Sequence, residues 1–214
     1  MSEQNAGRPL MALTFDDGPN TVTTPQVLDV LAEYGVPASF FLIADNITPE
    51  SARVARRAFD MGCDIENHSR THRHMGPMTA AEIRAEIEYC TRRVTEITGR
   101  APAFFRPPYI DLCQTLFDTV ELTCISGVGC LDWKAEVSAQ QRVDMILSSA
   151  RDGNIQLLHD SLGNQNTGEA LKVVIPALKA RGFGFVTCAE LFRQKGVVPR
   201  RGCIYANVFS PQGL

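Results

Sequence analysis

The chain has 214 residues, 44% of them hydrophobic and 21% charged, which fits one globular unit with a sizeable core and excludes a disordered polypeptide. A formal net charge of −3 and a pI near 5.8 leave no basic stripe for a phosphate backbone, so nucleic acid is not an expected partner. No apolar run approaches the ~20 residues that span a bilayer, and the opening MSEQNAGRPL is too polar for a signal peptide, so the expectation is a cytoplasmic protein as written, or an extracellular one if a leader has been removed.

In chain order, MALTF (11–15) reads as a strand, and Thr24-Pro25 then opens a helix with Val27, Leu28, Val30 and Leu31 on its apolar face before Gly35. ASFFLI (38–43) is the next strand. Thr48-Pro49-Glu50 starts a helix that Gly62 closes, and CDIEN (63–67) is the third strand. Thr79 and Glu82 form a capping box for a long helix ending near Gly99. There follow AFF (103–105), LTCISGV (122–128), a helix from Ser138 with Gln141 as box partner, IQLLH (155–159), a helix from Thr167 to Gly182, and FGFVT (183–187) leading into AELFRQKG. Seven strands separated mostly by helices imply parallel pairing, hence a closed or distorted (β/α) barrel or an open doubly wound sheet. The tail after Gly196 reads as a loop or a small terminal strand. The seven cysteines, none in a C-x-x-C arrangement, cannot all pair within the chain, and most are expected to be small apolar fillers.

LTFDDGPN (13–20) sets Asp16 beside Asp17 at the end of the first strand. The ordinary reading is the polar lip of a turn. His68 and His72 follow the third strand, Arg106 the fourth and Asp132 the fifth, and His159 ends the sixth. In barrels and open sheets alike that carboxyl edge carries the active site, so residues scattered from 16 to 159 converge on one mouth. HSRTH (68–72) spaces two imidazoles by four residues, which on a helical turn lets them share one cation, and a carboxylate would complete a three-ligand catalytic site. The alternative is solvated loop histidines, of which His74 is taken as an example.

TFDDGP, HSRTH, RPPY, LDW and LLH occur in the order and spacing of the polysaccharide deacetylases, carbohydrate esterase family four, which the chain resembles from Leu13 to about Leu191. The resemblance implies a distorted (β/α) barrel of about seven parallel strands in a single domain over 1–214, with a motif-bearing core at about 10–195. It implies that Asp17, His68 and His72 hold one divalent metal, zinc by default, with cobalt, nickel or manganese also suited. Asp16 would be the general base, Arg106 the residue that orients it, and the main-chain N–H of Tyr109 an oxyanion donor. His159 would be the general acid with Asp132 as its partner, Leu157 the wall against the acetyl methyl, and Trp133 a platform for a sugar ring, although core packing would also account for Leu157 and Trp133.

Three positions depart from the family pattern: Gly129-Cys130 stand where Asp-Ser is usual, Arg73 where proline is common, and Ile110 where glycine is common. The expectation is a metal-dependent hydrolase that removes acetyl groups from N-acetylglucosamine-containing carbohydrate. The alternatives are an O-acetyl esterase on xylan and a non-catalytic carbohydrate-binding relative. The partner implied is the acetylated carbohydrate itself; protein partners are not indicated.

Overall fold

Strand β1 (Leu10–Asp16) shows how the chain builds both a core and a site from one alternation. Met11, Leu13 and Phe15 pack outward against helices, whereas Leu10 and Ala12 pack inward in a second apolar cluster. The period of two then puts Thr14 and Asp16 on the inner face as well. The structure, a computed structural model, describes residues 7–213.

β1 lies between β2 (Ser39–Leu42) and β7 (Ile155–His159), parallel to both, and β8 (Gly184–Phe185) also pairs with its first residues. From β2 the parallel sheet continues through β3 (Asp64–Asn67), β4 (Phe104–Phe105), β5 (Thr123–Ile125) and β9 (Ile204–Tyr205). On the other side β6 (Val128–Gly129) pairs with β7, and the short β10 (Pro211–Gln212) runs antiparallel to β9. A bridge between Asn154 and Asn207, with Ile155 N–H donating to the Ala206 carbonyl, brings the segment after β9 back to the entrance of β7. The result is the distorted (β/α) barrel expected.

Helices α1 (Thr23–Tyr34), α2 (Pro49–Asp60), α3 (Ala80–Thr98), α4 (Gln114–Thr119), α5 (Ala139–Ser149), α6 (Gln165–Ala180) and α7 (Cys188–Gln194) connect the strands. The boxes Thr79/Glu82 and Ser138/Gln141 form as read, each side chain meeting the other's main-chain N–H. The tail supplies a small terminal strand as read, β9, which completes the parallel sheet. Three details differ from the sequence reading. LTCISGV is broken by Gly127, at φ 95°, into β5 and β6. The six-residue α4 was not anticipated. Thr24 and Thr167 lie inside their helices, after Val22 and Asn164 at the N-caps, because both hydroxyls are used on buried aspartates. All seven cysteines are unpaired, and five are buried in apolar surroundings that push the thiols of Cys90, Cys124, Cys130 and Cys188 up to about 12.

Candidate active site

The same inner-face parity operates on four strands: Asp16 ends β1, His68 follows Glu66 on β3, Arg106 follows Phe104 on β4, and His159 follows Leu157 on β7. Asp16 and His159 are direct register partners on adjacent parallel strands. Arg106 is fully buried, packs over the Phe41 ring with 4.2 Å to the centroid, donates from Nη2 to Thr14 Oγ1 at 2.8 Å, and makes a close ion pair from Nη1 to Asp16 Oδ1. One oxygen of Asp16 is thereby fixed, and Oδ2 is left on the side of His68 Nε2, 3.6 Å away.

Asp17 turns the other way. Its φ of 73° is left-handed backbone that a non-glycine residue adopts at a cost of roughly 1–3 kcal/mol, and this reversal separates its carboxylate from that of its neighbour. Asp17 Oδ1 then sits 3.6 Å from His68 Nε2 and 3.4 Å from His72 Nε2, both too long for hydrogen bonds. It is buried without a hydrogen-bond partner. Burial opposes its charge, yet the neighbouring imidazoles outweigh that and hold the carboxyl below its ordinary range.

HSRTH is not the helical turn expected from its spacing. Residues 68–72 form a loop with φ of 69° at Ser69 and 58° at His72. Buried Glu86 on α3 holds it, accepting from the Arg70 and Thr71 N–H groups at 3.0 and 2.8 Å and from the Thr71 hydroxyl at 2.9 Å. His68 Nδ1 lies 2.7 Å from the Arg106 carbonyl, which can only accept, so Nδ1 carries the proton and Nε2 keeps its lone pair toward Asp17. Burial and the neighbouring His68 lower the pKa of His72, which favours the neutral ligand form there too. One ligand atom from each of Asp17, His68 and His72 lies within 4.8 Å of the others. An orphaned carboxylate oxygen facing two imidazole lone pairs fits a small divalent cation.

On the opposite side of Asp16, His159 Nδ1 bonds Asp132 Oδ1 at 2.8 Å, and its main-chain N–H donates to Asp132 Oδ2 at 2.7 Å. Burial works against the imidazolium, but the hydrogen bond to Asp132 and the charges of Asp132, Asp16 and Asp17 raise its pKa to about 9. Leu157, opposite Thr14, is absent from the apolar clusters and faces the interior near Gly127, where an added Cβ would meet Leu157 Cβ at 2.9 Å. Trp133 is 63% exposed, so core packing does not account for it; it borders a cavity of about 330 Å³ with Asp132, Arg142 and Asn164. Tyr109, at φ 58°, lays its ring against His72 at 4.6 Å and stacks on His74 at 4.0 Å, with His74 Nδ1 3.2 Å from Asp111 Oδ2. His74 is thus exposed as expected, but it belongs to the aromatic rim.

Sequence reasoning missed Asp160, Thr167 and Arg142. Asp160 is fully buried beneath the Asp16–Gly18 turn, accepts from the Thr24 hydroxyl, and is pushed up to about 7 by burial, with the nearby Asp17 and Asp16 adding to the rise. Its place directly after His159 was the available signal.

Residues 3–122 match the sequence profile described as "Polysaccharide deacetylase". A bifunctional xylanase/deacetylase of Pseudobutyrivibrio xylanivorans is 46% identical over 89% of this chain, and the chain spans only 31% of that protein's length. A peptidoglycan-N-acetylglucosamine deacetylase of Bacillus cereus is 33% identical over 86% of this chain and 68% of its own. The structure of a family 4 acetyl xylan esterase from Clostridium thermocellum, solved with a cobalt ion, superposes with a TM-score of 0.89 at 40% identity, covering 93% of this chain and 98% of that one. No helix among the described residues is long and apolar enough to cross a membrane.

Proposed function

Because the chain belongs to the polysaccharide deacetylase family, we propose that it is a metal-dependent hydrolase that removes acetyl groups from a carbohydrate, working as one catalytic domain. The observation that carries this reading is the buried, partnerless Asp17 Oδ1 facing two imidazoles, beside a second carboxylate held by Arg106 and a histidine held by Asp132. Asp17, His68 and His72 would hold the cation, zinc by default, with cobalt, nickel or manganese compatible with the same donors. When bound, it supplies Lewis-acid polarisation of the acetyl carbonyl and makes a nearby water more acidic.

The chain's own residues supply the rest. Asp16, oriented through Oδ1 by Arg106, takes the proton of the attacking water at Oδ2. The Tyr109 N–H stabilises the charge that develops on the carbonyl oxygen, and Leu157 walls the acetyl methyl. As the bond from the acetyl carbon to the sugar oxygen or nitrogen breaks, His159 protonates the leaving atom, so acetate and a free hydroxyl or amine are released. Trp133 borders the sugar on the acid side.

Relatives whose names concern xylan are 46% and 40% identical, and the peptidoglycan deacetylase is 33% identical, which favours O-acetylated xylan over N-acetylglucosamine polymers as the substrate. Acetate release compared across acetylated xylan, chitooligosaccharides and peptidoglycan fragments tests both levels of the proposal. Release from xylan foremost is expected. Bound metal without acetate from any of the three would mean a carbohydrate-binding relative instead.

The pKa of His159 gives a second test. An imidazole raised above its ordinary value keeps the acid protonated above neutrality, and the Asp132 carboxylate is a principal source of that rise. Asp132→Asn removes the negative charge, so the imidazole pKa falls and the alkaline limb of the kcat/KM profile moves to lower pH by roughly 1–3 units. An unmoved limb would show that another group sets it.

A further inference from the structure

Arg142, on α5, is 2% exposed and forms no ion pair among the described residues. Its Nε donates to the Val137 carbonyl at 3.0 Å, Nη2 to the Lys134 carbonyl at 3.3 Å, and Nη1 to Thr167 Oγ1 at 2.8 Å and to Asn164 Oδ1. Burying a guanidinium on neutral acceptors is costly, and two helix-to-loop staples could be made with uncharged side chains. The two Nη1 contacts share a destination.

Thr167 has one hydroxyl hydrogen, and the 2.9 Å bond to Asp132 Oδ2, an acceptor only, uses it. The hydroxyl oxygen therefore accepts from Arg142, so the polarity from Arg142 through Thr167 to Asp132 is fixed, and Asp132 in turn holds His159 Nδ1. On the other arm Asn164 Oδ1 accepts from Arg142, which fixes its amide so that Nδ2 donates to the His159 carbonyl at 3.0 Å. One guanidinium thus braces the imidazole through its carboxylate and the backbone of the same histidine. Residues just before Asp132 offer no such brace: Gly129 has no side chain, and Cys130 packs in the outer apolar cluster.

Resting on the hydrolytic reading above, we propose that Arg142 is a positioning residue for the general acid, acting through Thr167 and Asp132 to aim His159 at the leaving atom. Its contribution is to leaving-group protonation and therefore scales with how much the leaving group needs it.

The test uses Arg142→Met, Arg142→Lys and Thr167→Val, each alone and combined with His159→Ala, on acetylated xylo-oligosaccharide and on para-nitrophenyl acetate, whose phenolate departs without help. Thr167→Val severs the link to Asp132 while leaving Arg142 three acceptors, so it serves if Arg142→Met does not fold. Arg142→Met and Thr167→Val are expected to lower kcat on the sugar acetate about 10–100-fold, with far smaller losses on the aryl acetate and KM within about twofold, and to add nothing in the His159→Ala background. Arg142→Lys, keeping the charge without the fork, recovers part of the loss. The downfield imidazole Nδ1 proton of His159 should weaken in the metal-free Thr167→Val protein. Equal losses on both substrates, or additive losses with His159→Ala, would overturn the proposal. A wild-type protein inert to both substrates would instead sink the hydrolytic reading, and the imidazole proton alone would then decide whether Thr167 aims His159.

Discussion

Alanine at His72 is expected to abolish metal retention and turnover together while leaving the fold nearly as stable as before. In the proposed site the donors among the described residues are Asp17, His68 and His72, and two remaining ligands would not hold a catalytic cation. His72 is the cleaner of the two histidines to remove. Its side chain is partly exposed, and the loop that carries it is fastened through Glu86. His68→Ala loses the metal as well but also leaves the buried Arg106 carbonyl without its donor, a further cost of roughly 1–3 kcal/mol. Metal analysis and thermal unfolding of both variants therefore separate the contributions. Near wild-type metal content in either variant would remove that histidine from the ligand set, and a larger drop in Tm for His72→Ala than for His68→Ala would contradict the structural account of the loop.

What the sequence disclosed follows from local physics. The alternation in LMALTFD, the boxes at Thr79/Glu82 and Ser138/Gln141, and polar residues at successive strand ends are all contained within a few residues, and each is found in the structure. The conformation of HSRTH was not legible, because the four-residue spacing suits a helical turn equally well and what selects the loop is Glu86, brought from α3 by tertiary packing. Arg142 and Thr167 were hidden for a similar reason. Read locally, Thr167 marks a helix start and Arg142 is one charged position among the polar residues of α5, and only the packing of α5 against α6 and the loop that carries Asp132 links the two to each other and to Asp132. Asp17 shows the converse case: the DDGP string foretold a turn, and the turn is there, but its left-handed residue is what, in the proposed mechanism, lets two adjacent carboxylates take different tasks.

That division of labour is the centre of the account, and distance to His68 does not establish it, since Asp16 Oδ2 and Asp17 Oδ1 both lie 3.6 Å from Nε2. The division rests on the other contacts. Arg106 occupies Asp16 Oδ1, whereas Asp17 Oδ1 has no hydrogen-bond partner and alone approaches His72, at 3.4 Å. Asp16→Asn preserves shape and an oxygen for Arg106 but cannot take a proton, so hydrolysis should fall by the ~10²–10⁴-fold that a general base typically contributes, with the cation still in place. The decisive measurement is metal content and acetate release on one preparation of Asp16→Asn. One divalent ion per chain with acetate release reduced at least a hundredfold, about the lower bound for a lost base, is the predicted result. Loss of the ion together with activity would contradict it and assign the ligand role to Asp16.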